Sequence, residues 1–183
     1  ISTKNNLMKK YLSLILLVIA SFLATAQPED PKTLHETAKT FMRTGDFDNA
    51  IIVLTRVLQQ DKNNLEMQKD LVMTFFLKRD YQKAKALNLE YLSAYKRFHT
   101  TDVLGNVHSS LARTYLALGQ LEESKMHNDL AIQIRTENNF RFNLPNNYET
   151  ESLIFEKEGD YKKALMAYKN FKGAQDSMFN KEK

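Results

Sequence analysis

Gly45-Asp46-Phe47-Asp48-Asn49-Ala50 is a helix-breaking turn followed by a helix start, and its pattern returns three times along the 183-residue chain. Arg79-Asp80-Tyr81 with Ala84, Gly119-Gln120-Leu121 with Ser124, and Gly159-Asp160-Tyr161 with Ala164 repeat it, at steps of 34, 40 and 40 residues between the small residues. A period of this size marks units stacked side by side rather than one globular core. The turn residues say what each unit is. Gly45, Gly119 and Gly159 suit the left-handed conformation that ends a helix, and Asp46, Asp80 and Asp160 suit the cap of the next one.

Working outward, the flanks repeat as well. Upstream stand Leu34, Ala38 and Phe41, then Gln68, Val72 and Phe75, then His108, Ala112 and Tyr115, then Tyr148, Ser152 and Phe155. Each set is spaced four then three, which lines one face of a helix. Downstream, Val57-Leu58, Tyr91-Leu92, Ala131-Ile132 and Phe171-Lys172 follow the small residue at seven and eight positions, on one face of a second helix. The expected fold is therefore all-α: four helix-turn-helix repeats, about eight helices, with Ala50, Ala84, Ser124 and Ala164 where paired helices cross. One such hairpin buries too little apolar surface to offset its ordering entropy, so neighbouring units must stack.

These residues resemble the tetratricopeptide repeat (TPR) family over roughly 31–183, through the small and aromatic columns of the first helix, the Gly-Asp-aromatic turn and the following Ala. The resemblance implies a right-handed solenoid with repeats at about 31–64, 65–98, 105–138 and 145–178. Departures are local: Arg79 replaces a turn Gly, Val72 is larger than usual, Tyr91 and Phe171 are bulky, and Lys62, Lys96 and Thr136 hold the places of a closing proline. The six extra residues of the third and fourth periods, near His99–Leu104 and Asn139–Leu144, are expected to lengthen second helices and their loops.

In the family the first helices line a concave groove that binds protein or peptide. Carried onto this chain, the groove column reads His35, Lys39 and Met42; Lys69, Met73 and Phe76; Ser109, Arg113 and Leu116; Glu149, Leu153 and Glu156. Lys39, Met42, Lys69, Met73, Phe76, Arg113 and Leu116 are the candidate partner-binding residues, an apolar stripe edged by cations that suits a peptide offering apolar anchors and an acid. The same spacing of Met42, Phe76 and Leu116 also fits packing against the adjacent repeat. Asp70, Asn106 and Ser110 stand where a chaperone-binding carboxylate clamp would have Asn, Lys and Arg, so that clamp is not expected.

The N-terminus carries a second signal. Lys9 and Lys10 precede an uncharged apolar run from Tyr11 to Leu23, and Ala24-Thr25-Ala26 follows. This reads as a signal peptide starting at Met8 and cleaved after Ala26, with residues 27–31 a linker into the repeats. The run is shorter than the about 20 apolar residues of a spanning helix. Export, to a periplasm or cell envelope, is the expected location, with membrane contact only through the leader or a C-terminal continuation. There is no cysteine, hence no disulfide and no lipid attachment through one.

Composition narrows the chemistry. The formal charge of +4 comes largely from Lys4, Lys9 and Lys10; without them 23 basic residues face 22 acidic ones, and a nucleic-acid partner is not expected. No HExxH, Gly-rich phosphate loop or Gly-x-Ser-x-Gly motif occurs. His35, His99, His108 and His127 do not pair at ligand spacing within one helix, and His108 sits in a core column. Glu156, Glu158 and Asp160 read as a solvated helix end with a cap rather than a calcium loop. No enzyme, metal or cofactor is expected.

Two functional readings stay open. One is a free exported adaptor. The other is a sensory segment, because Tyr161 through Tyr168 and Asp176 through Lys183 resemble the last repeat of exported TPR regions in bacterial two-component sensor histidine kinases, whose chains continue into a membrane span and an output domain. The apolar Tyr168, Phe171, Met178 and Phe179 near the end of the last helix agree with either.

Overall fold

Asp30 and Pro31 start the described part of the chain as their chemistry dictates: Pro31 opens the first helix, where its missing N–H costs nothing, and the Asp30 carboxylate accepts from Thr33 N–H and Oγ1, both at 3.3 Å. The structure is a computed structural model that describes residues 30–95 and 101–179. The expected leader at 8–26, most of the expected linker and His99 lie outside the described residues.

Every long element among the described residues is an α-helix: α1 (Pro31–Thr44), α2 (Phe47–Gln60), α3 (Leu65–Leu77), α4 (Tyr81–Tyr95), α5 (Thr101–Ala117), α6 (Leu121–Glu137), α7 (Leu144–Glu158) and α8 (Tyr161–Phe179). A 3₁₀ turn at Arg141–Asn143 precedes α7. The fold is all-α and of the helical-repeat class, as the recurring turn predicts. No described helix is long and apolar enough to cross a membrane.

All four turns close in the same way. Gly45 takes φ 78°; its N–H donates to Met42 C=O at 3.3 Å and Asp46 N–H to Phe41 C=O at 2.9 Å. The pair recurs as Arg79 N–H to Phe76 and Asp80 N–H to Phe75, Gly119 to Leu116 and Gln120 to Tyr115, and Gly159 to Glu156 and Asp160 to Phe155, at 2.9–3.1 Å. These bonds satisfy carbonyls that a helix end would leave orphaned. Asp46, Asp80 and Asp160 then accept from the N–H of Asn49, Lys83 and Lys163. Arg79 adopts φ 65° without being glycine.

Two compact units divide the chain, one up to Met67 and one from Gln68. In the first, α1 packs on α2 and buries Leu34, Ala38, Ala50, Leu54, Val57 and Met67. In the second, α4 packs on α5, α5 on α6, α6 on α7 and α7 on α8, and the first helices α5 and α7 also touch. Val72, Ala84, Tyr91, Leu92, Val107 and Leu111 form its core, edged by Phe75, Phe76, Leu87, Tyr95 and Tyr115.

The small residues stand at the crossings. Ala50, Ala84 and Ser124 are fully buried and Ala164 is 8% exposed. Ser124 Oγ reaches across its hairpin to Ala112 C=O at 2.7 Å, and Ser152 Oγ reaches Ala164 C=O at 2.9 Å, so backbone approaches backbone where a larger side chain would block it.

The expectation of longer second helices and loops holds in part, since α6 has 17 residues and α8 19 against 14 in α2 and 15 in α4, but some of the extra residues go elsewhere. Residues 101–104 belong to the first helix α5, 17 residues long. The stretch after Glu137 forms a further left-handed turn at Asn139, φ 59°, and then the 3₁₀ turn. Phe140 N–H donates to Arg135 C=O at 2.8 Å there, closing α6 with the bond pattern of the other turns.

Candidate ligand groove

Lys69, Met73 and Phe76 fall four and three apart on α3, so all three occupy one face of that helix. In the second unit this face meets Asn106, Ser109, Ser110 and Arg113 of α5 across a half-open groove of about 370 Å³, with Phe142, Asn143 and Asn146 at the entry to α7 and Arg135 of α6 completing the lining. Met73, Phe76 and Phe142 are apolar, Lys69, Arg113 and Arg135 are cations, and no Asp or Glu is among the lining residues. The Arg113 guanidinium lies 5.1 Å from the Phe76 ring centre, a cation–π contact that holds an exposed charge against the apolar wall.

Arg135 is the unusual member. It is 2% exposed, and none of the ion pairs among the described residues includes it. Its neighbours are neutral oxygens: Nη2 donates to Asn106 Oδ1 at 2.9 Å, and Nη1 to Ser109 Oγ and Asn147 Oδ1. The network extends through Asn147 Nδ2 to Asn128 Oδ1 at 2.9 Å and Ser109 Oγ at 3.0 Å, and through Asn143 Nδ2 to Asn106 Oδ1 at 3.2 Å. Arg135 Nε and Asn128 Nδ2 find no hydrogen-bond partner among the described residues. Burial pushes the guanidinium down to about 10, against the pull of Asp102, because desolvation disfavours the charged form.

Gly105 of α5 lies against this side chain. A Cβ at Gly105 would lie in ordinary van der Waals contact, 3.4 Å from Ile134 Cγ2 and 3.8 Å from Arg135 Nε.

Of the sequence-derived candidates, Lys69, Met73, Phe76 and Arg113 are brought together here. Leu116 is buried at 8% and is not among the lining residues. Lys39 and Met42 lie half-buried on α1 in the first unit, where Lys39 Nζ pairs with Glu36 at 3.6 Å. Phe76 both lines the groove and packs on the core, with Tyr81 at 5.2 Å, so its groove and packing readings coincide. At the former clamp positions Asp70 is buried while Asn106 and Ser110 line the groove.

Sequence reasoning missed Arg135, Asn143 and Asn146. The available signal was a Gly inside a helix, at Gly105, together with the Asn-rich stretch from Asn138 to Asn147. It also missed that His108 and His127, on separate helices, meet through Nδ1 at 2.8 Å, with the His127 ring stacked on Tyr115. Glu158 and Asp160 diverge, to Lys125 at 4.0 Å and Lys163 at 2.8 Å, and no group of three or more His, Cys, Asp or Glu converges among the described residues.

Comparison with known proteins agrees with this architecture. The tetratricopeptide-repeat family model matches residues 33–68. No curated protein matches the sequence. Among solved structures, the apo form of RapI is 17% identical and covers 90% of this chain and 63% of its own, with a TM-score of 0.70. MamA from Desulfovibrio magneticus RS-1 is 17% identical over 82% of this chain and 78% of its own, with a TM-score of 0.63. A putative kinesin light chain from Podosopora anserina with nearly identical TPR-like repeats is 17% identical over 81% and 78%, with a TM-score of 0.64. At such identities the likeness shows the fold alone: an all-α helical-repeat solenoid.

Proposed function

We propose that the protein is a non-catalytic TPR-type binding module that holds a protein or peptide segment in the groove of α3, α5 and α7. The observation that carries this reading is the lining itself: an apolar wall of Met73, Phe76 and Phe142 beside three cations, with no acid. Apolar anchors supply burial, and a lining of cations without an acid selects an acidic partner and repels a basic one. A polyanion such as nucleic acid would need a broader basic face than a near-neutral repeat domain offers.

Panning a random peptide library against the full chain tests it. Recovered peptides should carry apolar residues near Asp or Glu, and should bind the Lys69→Glu/Arg113→Glu double variant at least about tenfold more weakly while its melting temperature stays close to wild type, since both side chains are exposed. Failure to recover any peptide, or equal binding by the variant, would refute the groove.

The export signal over Lys9–Ala26 supports a periplasmic or envelope location. N-terminal sequencing of the native protein should begin at Gln27; a chain still starting at Met8 would refute cleavage. One observation favours a sensory role like that of the exported segments of sensor histidine kinases. Tyr161, Leu165 and Tyr168 of α8, at helical spacing, are 71%, 55% and 47% exposed, a face suited to a helical neighbour. A coding sequence that continues beyond Lys183 into another apolar span would support that role, and an immediate stop codon would exclude it.

A further inference from the structure

Resting on the groove reading, we propose that Arg135 is the fixed cation of a carboxylate subsite at the groove floor, which takes an acidic side chain or the C-terminal carboxylate of the bound peptide. A buried guanidinium normally has a carboxylate beside it, because removing a charge from water is repaid only by close opposite charge and full hydrogen bonding. Arg135 is hydrogen-bonded through Nη1 and Nη2 but forms no ion pair among the described residues, and Asp102 acts on it through its charge alone. Its acceptors are Asn106, Ser109 and Asn147, all neutral, so at the edge of an apolar cleft its positive charge is offset only in part, by the more distant Asp102.

The acceptors are arranged so that the charge is useful. Asn106 Oδ1 is taken by Arg135 and Asn143, and Asn106 Nδ2 makes no hydrogen bond among the described residues, so an amide donor of the lining is free for a ligand oxygen. Arg113, exposed and steadied on Phe76, supplies a second guanidinium at the rim. A carboxylate entering between them meets these donors in a lining that holds no Asp or Glu, and competes with Asp102 for the charge of Arg135. The low-dielectric surroundings that lower the Arg135 pKa also strengthen its field in the groove. Arginine suits the task because its planar fork matches a carboxylate and stays charged at physiological pH. The subsite differs from a chaperone-type clamp in drawing its fixed cation from α6, the second helix of its hairpin, rather than from the first helices.

The test uses the full chain and four N-acetylated decapeptides of alternating Leu and Ser with one variable site, Glu or Gln, and a C-terminal acid or amide. Isothermal titration calorimetry should rank a carboxylate-bearing peptide at least about tenfold above the Gln amide. Preference following Glu assigns a side-chain carboxylate; preference following the free acid assigns the C-terminus. Arg135→Gln should abolish the preference while keeping the residual affinity for the apolar residues, and the Arg135 Nε–H resonance of the wild type should shift with the preferred peptide and not with the Gln amide. If Arg135→Gln does not fold, that resonance decides alone, and no shift overturns the proposal. Binding without any acid preference, or a preference that survives Arg135→Gln, overturns the subsite but leaves the groove standing. No binding of any of the four overturns the subsite, while the library panning decides the groove separately.

Discussion

Arg79 shows at the residue scale how a repeated turn tolerates an ill-suited residue. Its φ of 65° costs a non-glycine residue about 1 kcal/mol, yet the two turn-closing bonds are made as at the glycine positions. Arg79→Gly should therefore stabilise the chain, by about 0.5–1 kcal/mol once the greater freedom of glycine in the unfolded state is counted. Urea midpoints of the two proteins decide it; an unchanged or lower midpoint would show that the turn carries no strain. Asn147 is the opposite case, a residue whose loss leaves buried groups exposed to cost. Its side chain accepts from Arg135 and donates to Asn128 and Ser109, so Asn147→Leu should destabilise by about 2–4 kcal/mol, measured by the same unfolding curves.

At the scale of elements, helix pairs are set by their crossing points. Ala84 is fully buried between α3 and α4, so Ala84→Leu should cost about 1–3 kcal/mol by overpacking, readable as a lower melting temperature. The α6–α7 pair adds a pH dependence. Burial, reinforced by Asp129, raises the Glu151 pKa, and burial raises that of Asp129 itself despite Lys125. A carboxyl group whose folded pKa lies above its unfolded value contributes stability that is complete below the unfolded pKa and is lost as pH rises through the folded one. These two groups therefore favour the fold at about pH 4 relative to pH 7, where both tend to ionise. Glu151→Gln should raise the melting temperature at pH 7 and flatten its slope between pH 4 and 7; an unchanged slope would remove Glu151 from the account.

Across the whole molecule, stability follows how many sides of a helix are covered. α5 buries Gly105, Val107, His108, Leu111, Ala112, Thr114 and Leu116, because α4, α6 and α7 all pack on it. On α8 only Ala164 and Ala167 are buried among the described residues. Hydrogen exchange should accordingly be slowest in α5 and faster by orders of magnitude in α8, since local opening costs least where few apolar contacts must break. Equal protection along both would show that the second unit opens all at once.

Most of the fold was legible in residues close together in the chain. Gly45, Gly119 and Gly159 end helices by their own backbone freedom, Asp46, Asp80 and Asp160 cap helices three residues away, and Ala50, Ala84 and Ser124 mark crossings through size alone. Half of the groove was legible for the same reason, because Lys69, Met73 and Phe76 share a helical face by spacing. The floor was not. Arg135 bonds to Asn106, Ser109 and Asn147, which are 29, 26 and 12 residues away, and no periodicity links them. The sequence by itself determined where helices begin, turn and cross, since those choices are made by local backbone energetics. Only the tertiary structure decided which polar groups share a dry floor and which cation is buried outside any ion pair, because burial and neighbours are properties of helices already packed.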